Sequence, residues 1–199
     1  SLSFIGTVSP AGGNFQEPVT QATMDATGGF WGLSQDRADA KKYPAIDPLA
    51  YTGSVYDGFI SWKDRKKILG TLEEANGIDQ TISTIGLKKV PVDKYVLFQK
   101  GQTIDFCILQ QDAFHELDAC TRPDRLAILN EAVQKLIDTP INFSSDGMED
   151  EELKELIKTR FDELRQWWKD WNSNAENAEQ IATLGKKIEQ FISQEEYAL

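Results

Sequence analysis

The chain has 199 residues, a net charge of −11 at pH 7, 40% hydrophobic residues and 27% charged ones. This is an ordinary globular composition, long enough for one domain or two small ones. The acidic balance argues against nucleic acid as the main partner and against anionic membrane surfaces, since both recruit Lys and Arg.

Ser1 to Val8 alternates weakly and is β-branched at Ile5, Thr7 and Val8, which predicts a strand. No signal-peptide pattern or polar lead-in precedes it, so the chain reads as a piece of a longer protein. The loop SPAGGNFQEPVTQAT (Ser9 to Thr23) follows. Phosphate-cradling loops need G-x-x-x-x-G-K-[ST] or G-x-G-x-x-G, and neither occurs, so on its own this loop reads as a structural turn. Pro18 suits a first helical turn, and a short helix is expected from Val19 to Gly28. Ser34 can cap a helical turn through Lys42, after which Pro44 and Pro48 impose extended backbone.

From about Trp62 helical periodicity takes over. Ile68, Leu69 and Leu72 share one face; Val96, Ile104, Cys107 and Ile108 share another, with Gly101 as a weak point between them. Arg122 to Ile137 places Leu126, Leu129, Val133, Leu136 and Ile137 on one stripe, with Pro123 at its start. The loop INFSSDGMEDEE leads into an acidic first turn. Leu153, Leu156, Ile157, Leu164, Trp168 and Trp171 then repeat at helical spacing, Ser173 and Glu176 offer a capping box, and Ile181, Leu184, Ile188, Phe191 and Ile192 form a last stripe. The short link between these two helices predicts an antiparallel pair. The bundle is expected to carry its own core from about Trp62, while the N-terminal quarter lacks sheet partners.

Candidate chemistry is sparse. Cys107 and Cys120 sit in no metal spacing, and both read as reduced, mostly buried thiols of a cytosolic protein. His115 is the one histidine, beside Glu116 and Asp118; a surface position or a catalytic one both fit. The pair Tyr43-Pro44 and the distant Phe114 can be core residues or aromatic faces for a base. Trp167 points away from the stripe of Trp168 and Trp171, to the edge of the core or into a protein contact. No Ser/His/Asp set, metal cluster or Walker motif is present.

Three blocks do resemble one family. SPAGGNFQEPVTQAT followed by FWGL, then KYPAIDPL, then DFCILQQDAFHELDA (Asp105 to Ala119) resemble, in order, segments of the catalytic A subunit of V-type and A-type rotary ATPases. The family pattern is S-P-P-G-G-D-F-S-E-P-V-T-Q, and Ala11 and Asn14 depart from it; Tyr43 stands where most V-type sequences carry phenylalanine. The match spans Ser1 to about Ile137; the last ~50 residues agree only in being helical.

The resemblance implies a mainly α fold: a C-terminal helical bundle preceded by a short α/β remnant of a P-loop nucleotide-binding domain, divided as residues 1–58 and 59–199. It implies that the opening loop shapes a subunit contact near the nucleotide, and that Tyr43, Pro44 and Phe114 line an adenine pocket. The parent protein would work on ATP or ADP with Mg2+ and couple that to ion transport. Its P-loop and catalytic glutamate would lie upstream, so the isolated chain is expected to be inactive and to hold no cofactor. The implied partners are the B subunit of the same ring and the central rotor stalk, in the soluble head on the cytoplasmic side of a membrane, with no nucleic acid and no membrane insertion. The alternatives are a non-enzymatic helical interaction module and the catalytic subunit of a related hexameric secretion ATPase. An interaction module has no reason to carry the three blocks in this order.

Overall fold

The computed structural model describes residues 2–50, 52–53, 60–143 and 147–193. The expected boundary between residues 58 and 59 lies outside the described residues. The architecture is mainly α, as the resemblance implies, with a small arch of extended chain ahead of a helical bundle.

The arch begins with α1 (Pro18–Ala26), which has proline in its first turn, where a missing amide costs nothing. Two-residue strands β1 (Gly29–Phe30) and β2 (Thr52–Gly53) pair antiparallel, Gly29 opposite Gly53 and Phe30 opposite Thr52. The pairing continues inward through a Leu33–Ile46 bridge, with the Ser34 amide on the Ala45 carbonyl and the Asp47 amide on the Gly32 carbonyl, both 2.8 Å. Short helix α2 (Gln35–Asp39) sits inside this arch, capped by Ser34 as expected. It stops short of Lys42 because Lys41 takes a left-handed conformation, φ 57°.

The bundle starts at α3 (Trp62–Ile85), where Ser61 Oγ accepts the Asp64 amide at 3.1 Å. Gly86, φ 86°, ends it in a conformation that suits glycine alone. Helix α4 (Val92–Ile104) lies against α3, α6 (Pro123–Asp138) and α7 (Asp150–Asn174) and continues into a wide π-turn, Asp105–Leu109. A one-turn helix α5 (Glu116–Ala119) bridges to α6, and α8 (Ala178–Ser193) packs on α6 and α7. The core forms where these faces meet: Ile104, Val133, Leu136, Ile157, Leu164, Trp168, Leu184 and Ile188 are all buried. Each such side chain contributes about 1.5–3 kcal/mol of transfer free energy.

Four expectations are corrected. Of the run expected as a strand from Ser1 to Val8, the described part, residues 2–8, pairs with no strand among the described residues, and Leu2, Phe4 and Ile5 are each at least 90% exposed. A ladder needs a neighbour, and the arch has used its own strands on each other. The second correction concerns the link between α7 and α8. Ser173 lies inside α7, which runs on because Trp171 is core, and the capping box is Asn177 with Gln180. Asn177 Oδ1 accepts the Gln180 amide at 2.9 Å, and Gln180 Oε1 accepts the Asn177 amide at 3.2 Å.

Third, Cys120 is exposed; only Cys107 is buried, and both are free. Cys120 closes the surface turn of α5, where nothing packs over it. Fourth, Gly101 is a packing requirement. A Cβ at that position would stand 2.3 Å from Ala75 Cβ on α3, so glycine sets how closely α3 and α4 approach.

Gly101→Ala is therefore expected to destabilise the chain. Alanine gains about 1 kcal/mol in helix propensity, but forcing a methyl into a filled contact costs about 1–3 kcal/mol or more. Urea denaturation should show a lowered midpoint with an unchanged slope; a raised midpoint would mean that the two helices can part without loss.

Candidate functional site

The arch meets the bundle at one carboxylate. Helix α2 ends in a Schellman motif: the Lys42 amide donates to the Arg37 carbonyl at 2.8 Å and the Lys41 amide to the Ala38 carbonyl at 3.0 Å. This closure sets the side chains of Arg37 and Lys42 side by side, where a hydrophobic contact is usual. Here both are cations, and both reach the same partner. Arg37 Nη1 donates to Asp105 Oδ1 at 2.7 Å and Lys42 Nζ to Asp105 Oδ2 at 2.8 Å. The side chains of Arg37 and Asp105 are only 13% and 10% exposed, so this is a largely desolvated junction. Asp105 opens the π-turn at the end of α4; such turns recur at functional sites.

Just beyond the π-turn, residues 110–119 form a loop pinned from three sides. Lys169 Nζ on α7 donates to the Gln110 carbonyl at 2.6 Å and to Asp118 Oδ2 at 3.2 Å. Asp118 Oδ2 also accepts the Asp112 amide at 2.9 Å. Arg125 on α6 donates to the carbonyls of Leu117 at 3.2 Å and Asn172 at 2.9 Å, with its guanidinium 4.8 Å from the centre of the Trp171 ring. Burial pulls the Arg125 pKa down, and the nearby Asp118 charge partly offsets this. The loop is thus held by charged groups whose carbons or heads are buried.

Phe114 projects from this pinned loop fully exposed, its amide held by Asp112 Oδ1 at 2.9 Å. Tyr43 is 56% exposed, and Pro44 next to it is exposed too. The two loops are joined directly: the Gln111 amide donates to the Tyr43 carbonyl at 2.9 Å. Tyr43 and Pro44 are therefore bonded to the loop that carries Phe114, although 71 positions separate the two aromatics. Two concavities among the described residues lie away from them. One is a groove of about 390 Å³ between α3 and α4, lined by Ile78, Ile85, Val90 and Pro91; the other is an open trough along α1. Both rings therefore stand on the open surface.

The remaining sequence candidates fall outside this surface. His115 is half-buried at the start of α5. Trp167 lies partly buried against the edge of the core, 5.9 Å below Lys187 Nζ. Sequence reasoning missed Arg37, Lys42, Asp105, Gln111 and Lys169. One signal was available: Asp105 is a carboxylate between Ile104 and Cys107 on an apolar stripe, where a charge requires a partner.

The described chain is thus an arch of paired segments ahead of a helical bundle, with two exposed aromatics on linked loops at the junction. Residues 1–52 match the family model of the ATP synthase alpha/beta family, nucleotide-binding domain. The chain is 35% identical over 174 residues to the V-type ATP synthase alpha chain of Borreliella burgdorferi strain ZS7, covering 87% of this chain and 30% of that relative. It is 38% identical over 144 residues to that of Borreliella afzelii, covering 72% and 25%, and 38% identical over 154 residues to that of Chlamydia abortus, covering 73% and 26%. The chain belongs to the family of V-type ATP synthase alpha chains, and it spans about 30% of the length of the Borreliella burgdorferi relative.

The two thiols provide a check on this geometry. Burial pushes the Cys107 thiol far above the usual cysteine range, and Asn172 Nδ2 closes over its carbonyl at 2.7 Å. A thiol reagent at neutral pH is expected to modify Cys120 alone in the native chain and both cysteines in urea, since the thiolate is the reactive form. Rapid native modification of Cys107, followed by mass spectrometry, would contradict the packing of the π-turn.

Proposed function

We propose that this chain supplies the adenine end of the nucleotide site and the helical domain of the catalytic subunit of a V/A-type rotary ATPase. In this reading residues 1–58 complete a nucleotide-binding domain and residues 59–199 form the helical domain that faces the central rotor stalk. The parent subunit hydrolyses or makes ATP and couples that to ion movement across a membrane, in a ring shared with the B subunit. The assembled head would be peripheral to the membrane, on the cytoplasmic side.

The observation that carries the reading is the Gln111–Tyr43 backbone bond, which joins two exposed aromatics on a pinned support. An exposed ring on a mobile loop is unremarkable, but a ring held out on a braced loop is prepared to stack. Tyr43 and Phe114 would both contact the base, with Pro44 limiting where the Tyr43 ring can go. Base–aromatic stacking is worth about 1–3 kcal/mol per base. Two such contacts fall near the ~4 kcal/mol of millimolar binding, so this chain orients the base while affinity comes from phosphate contacts elsewhere in the subunit. Among the described residues no three His, Cys, Asp or Glu side chains converge, and no residue here is assigned to Mg2+. When bound, Mg2+ would neutralise phosphate charge; the residues of this chain act at the other end of the nucleotide.

In the full-length subunit, Phe114→Ala and Tyr43→Ala are each expected to raise KM for ATP roughly tenfold with kcat within about twofold. That is the signature of a contact made equally in the ground and transition states. Unchanged KM for both variants would reject the adenine role. A large fall in kcat at constant KM would move these residues into the chemistry or into coupling with the rotor.

A further inference from the structure

We propose that Asp105 is a positioning residue for nucleotide binding: its carboxylate clamps Arg37 and Lys42 and thereby holds the Tyr43 loop against the Phe114 loop. The proposal rests on the adenine reading above. Asp105 would touch neither base nor phosphate. It stands nine positions before Phe114 on the same chain and binds Lys42, the immediate neighbour of Tyr43.

Three features make the clamp specific. The Schellman closure of α2 fixes the spacing of the two cations, so one carboxylate between them serves both, one oxygen each. The end of α4 gives that carboxylate its place: the Asp105 amide still donates to the Gly101 carbonyl as in the helix, and the wide π-turn begins only after it, closed by the Gln110 amide on the Asp105 carbonyl at 3.0 Å, so the same residue also starts the turn into the Phe114 loop. The third feature is the cost of losing it. Without Asp105, Arg37 keeps a buried guanidinium with no counter-charge beside a second cation, and the relief is for the segment of residues 37–43 to lift into water. The Gln111–Tyr43 bond then opens, because its acceptor leaves with that segment.

The test has two arms. Hydrogen exchange on the chain reads the clamp itself. Asp105→Asn is expected to speed exchange of the Gln111 amide at least ~10-fold while amides of α7 near Leu164 and Trp168 stay protected. Lys42→Gln, which leaves Arg37 on Asp105, should give a smaller change of the same kind. Steady-state kinetics of the ATPase assembled from the parent subunit reads the consequence. Asp105→Asn should raise KM for ATP ~5- to 10-fold with kcat within ~2-fold, and Asp105→Glu should recover most of the loss.

An unchanged Gln111 amide overturns the clamp. Faster exchange throughout α7 overturns it as well, because Asp105 is then a general support of the fold. A faster Gln111 amide with unchanged KM overturns the positioning role if Phe114→Ala still raises KM. If Phe114→Ala also leaves KM unchanged, the adenine reading fails and the positioning role with it, and the exchange result describes a latch of the fold alone.

Discussion

The junction between the arch and the bundle depends on one buried carboxylate serving two cations. Asp105 accepts from Arg37 and from Lys42, residues 68 and 63 positions away in the chain. Surface ion pairs contribute little, but a largely buried group left without its partner costs several kcal/mol. This asymmetry makes the junction an effective registration device: in this seat each cation meets one oxygen of the same carboxylate. What that seat places in register is backbone, the Tyr43 carbonyl against the Gln111 amide.

The bundle provides the stiffness that such a device needs. Gly101 brings α4 close to Ala75 on α3, and the buried faces of α7 and α8 enclose Trp168 and Leu184. Lys169 and Arg125 then reach from α7 and α6 to carbonyls of the 110–119 loop. These two cations are oriented by packing along their stems, and Arg125 is also stacked on Trp171. The chain from core to loop is short: a displaced α7 would move Lys169, and with it the carbonyl of Gln110 and the support under Phe114.

Much of this was legible in the sequence, in proportion to how local each cause is. The stripes of α6, α7 and α8 are spaced at three and four, and all three helices are present with those faces buried. The three family blocks were specific because they occur in order, and the match of residues 1–52 falls on the first two. The capping box was misplaced because Ser173/Glu176 and Asn177/Gln180 both satisfy the local pattern; the burial of Trp171 decides between them, and that is a tertiary fact. Gly101 looked weak because propensity is local, while the Ala75 methyl lies on another helix. Asp105 signalled a partner by being a charge on an apolar stripe, but which partners could not be read, since nothing in either segment records a contact 63 or 68 positions away. A strand at Ser1 to Val8 was expected from composition, yet strands are made by partners, and among the described residues it has none.

The central claim is that Arg37 and Asp105 are energetically coupled across the junction, and a double-mutant cycle measures that coupling directly. Stability to urea would be compared for the wild-type chain, Arg37→Ala, Asp105→Ala and the double variant. A coupling energy of about 1–3 kcal/mol is predicted, with the double variant less destabilised than the sum of the singles. Additivity within about 0.3 kcal/mol would show that the two side chains do not act as a pair, and the account of the junction would be wrong.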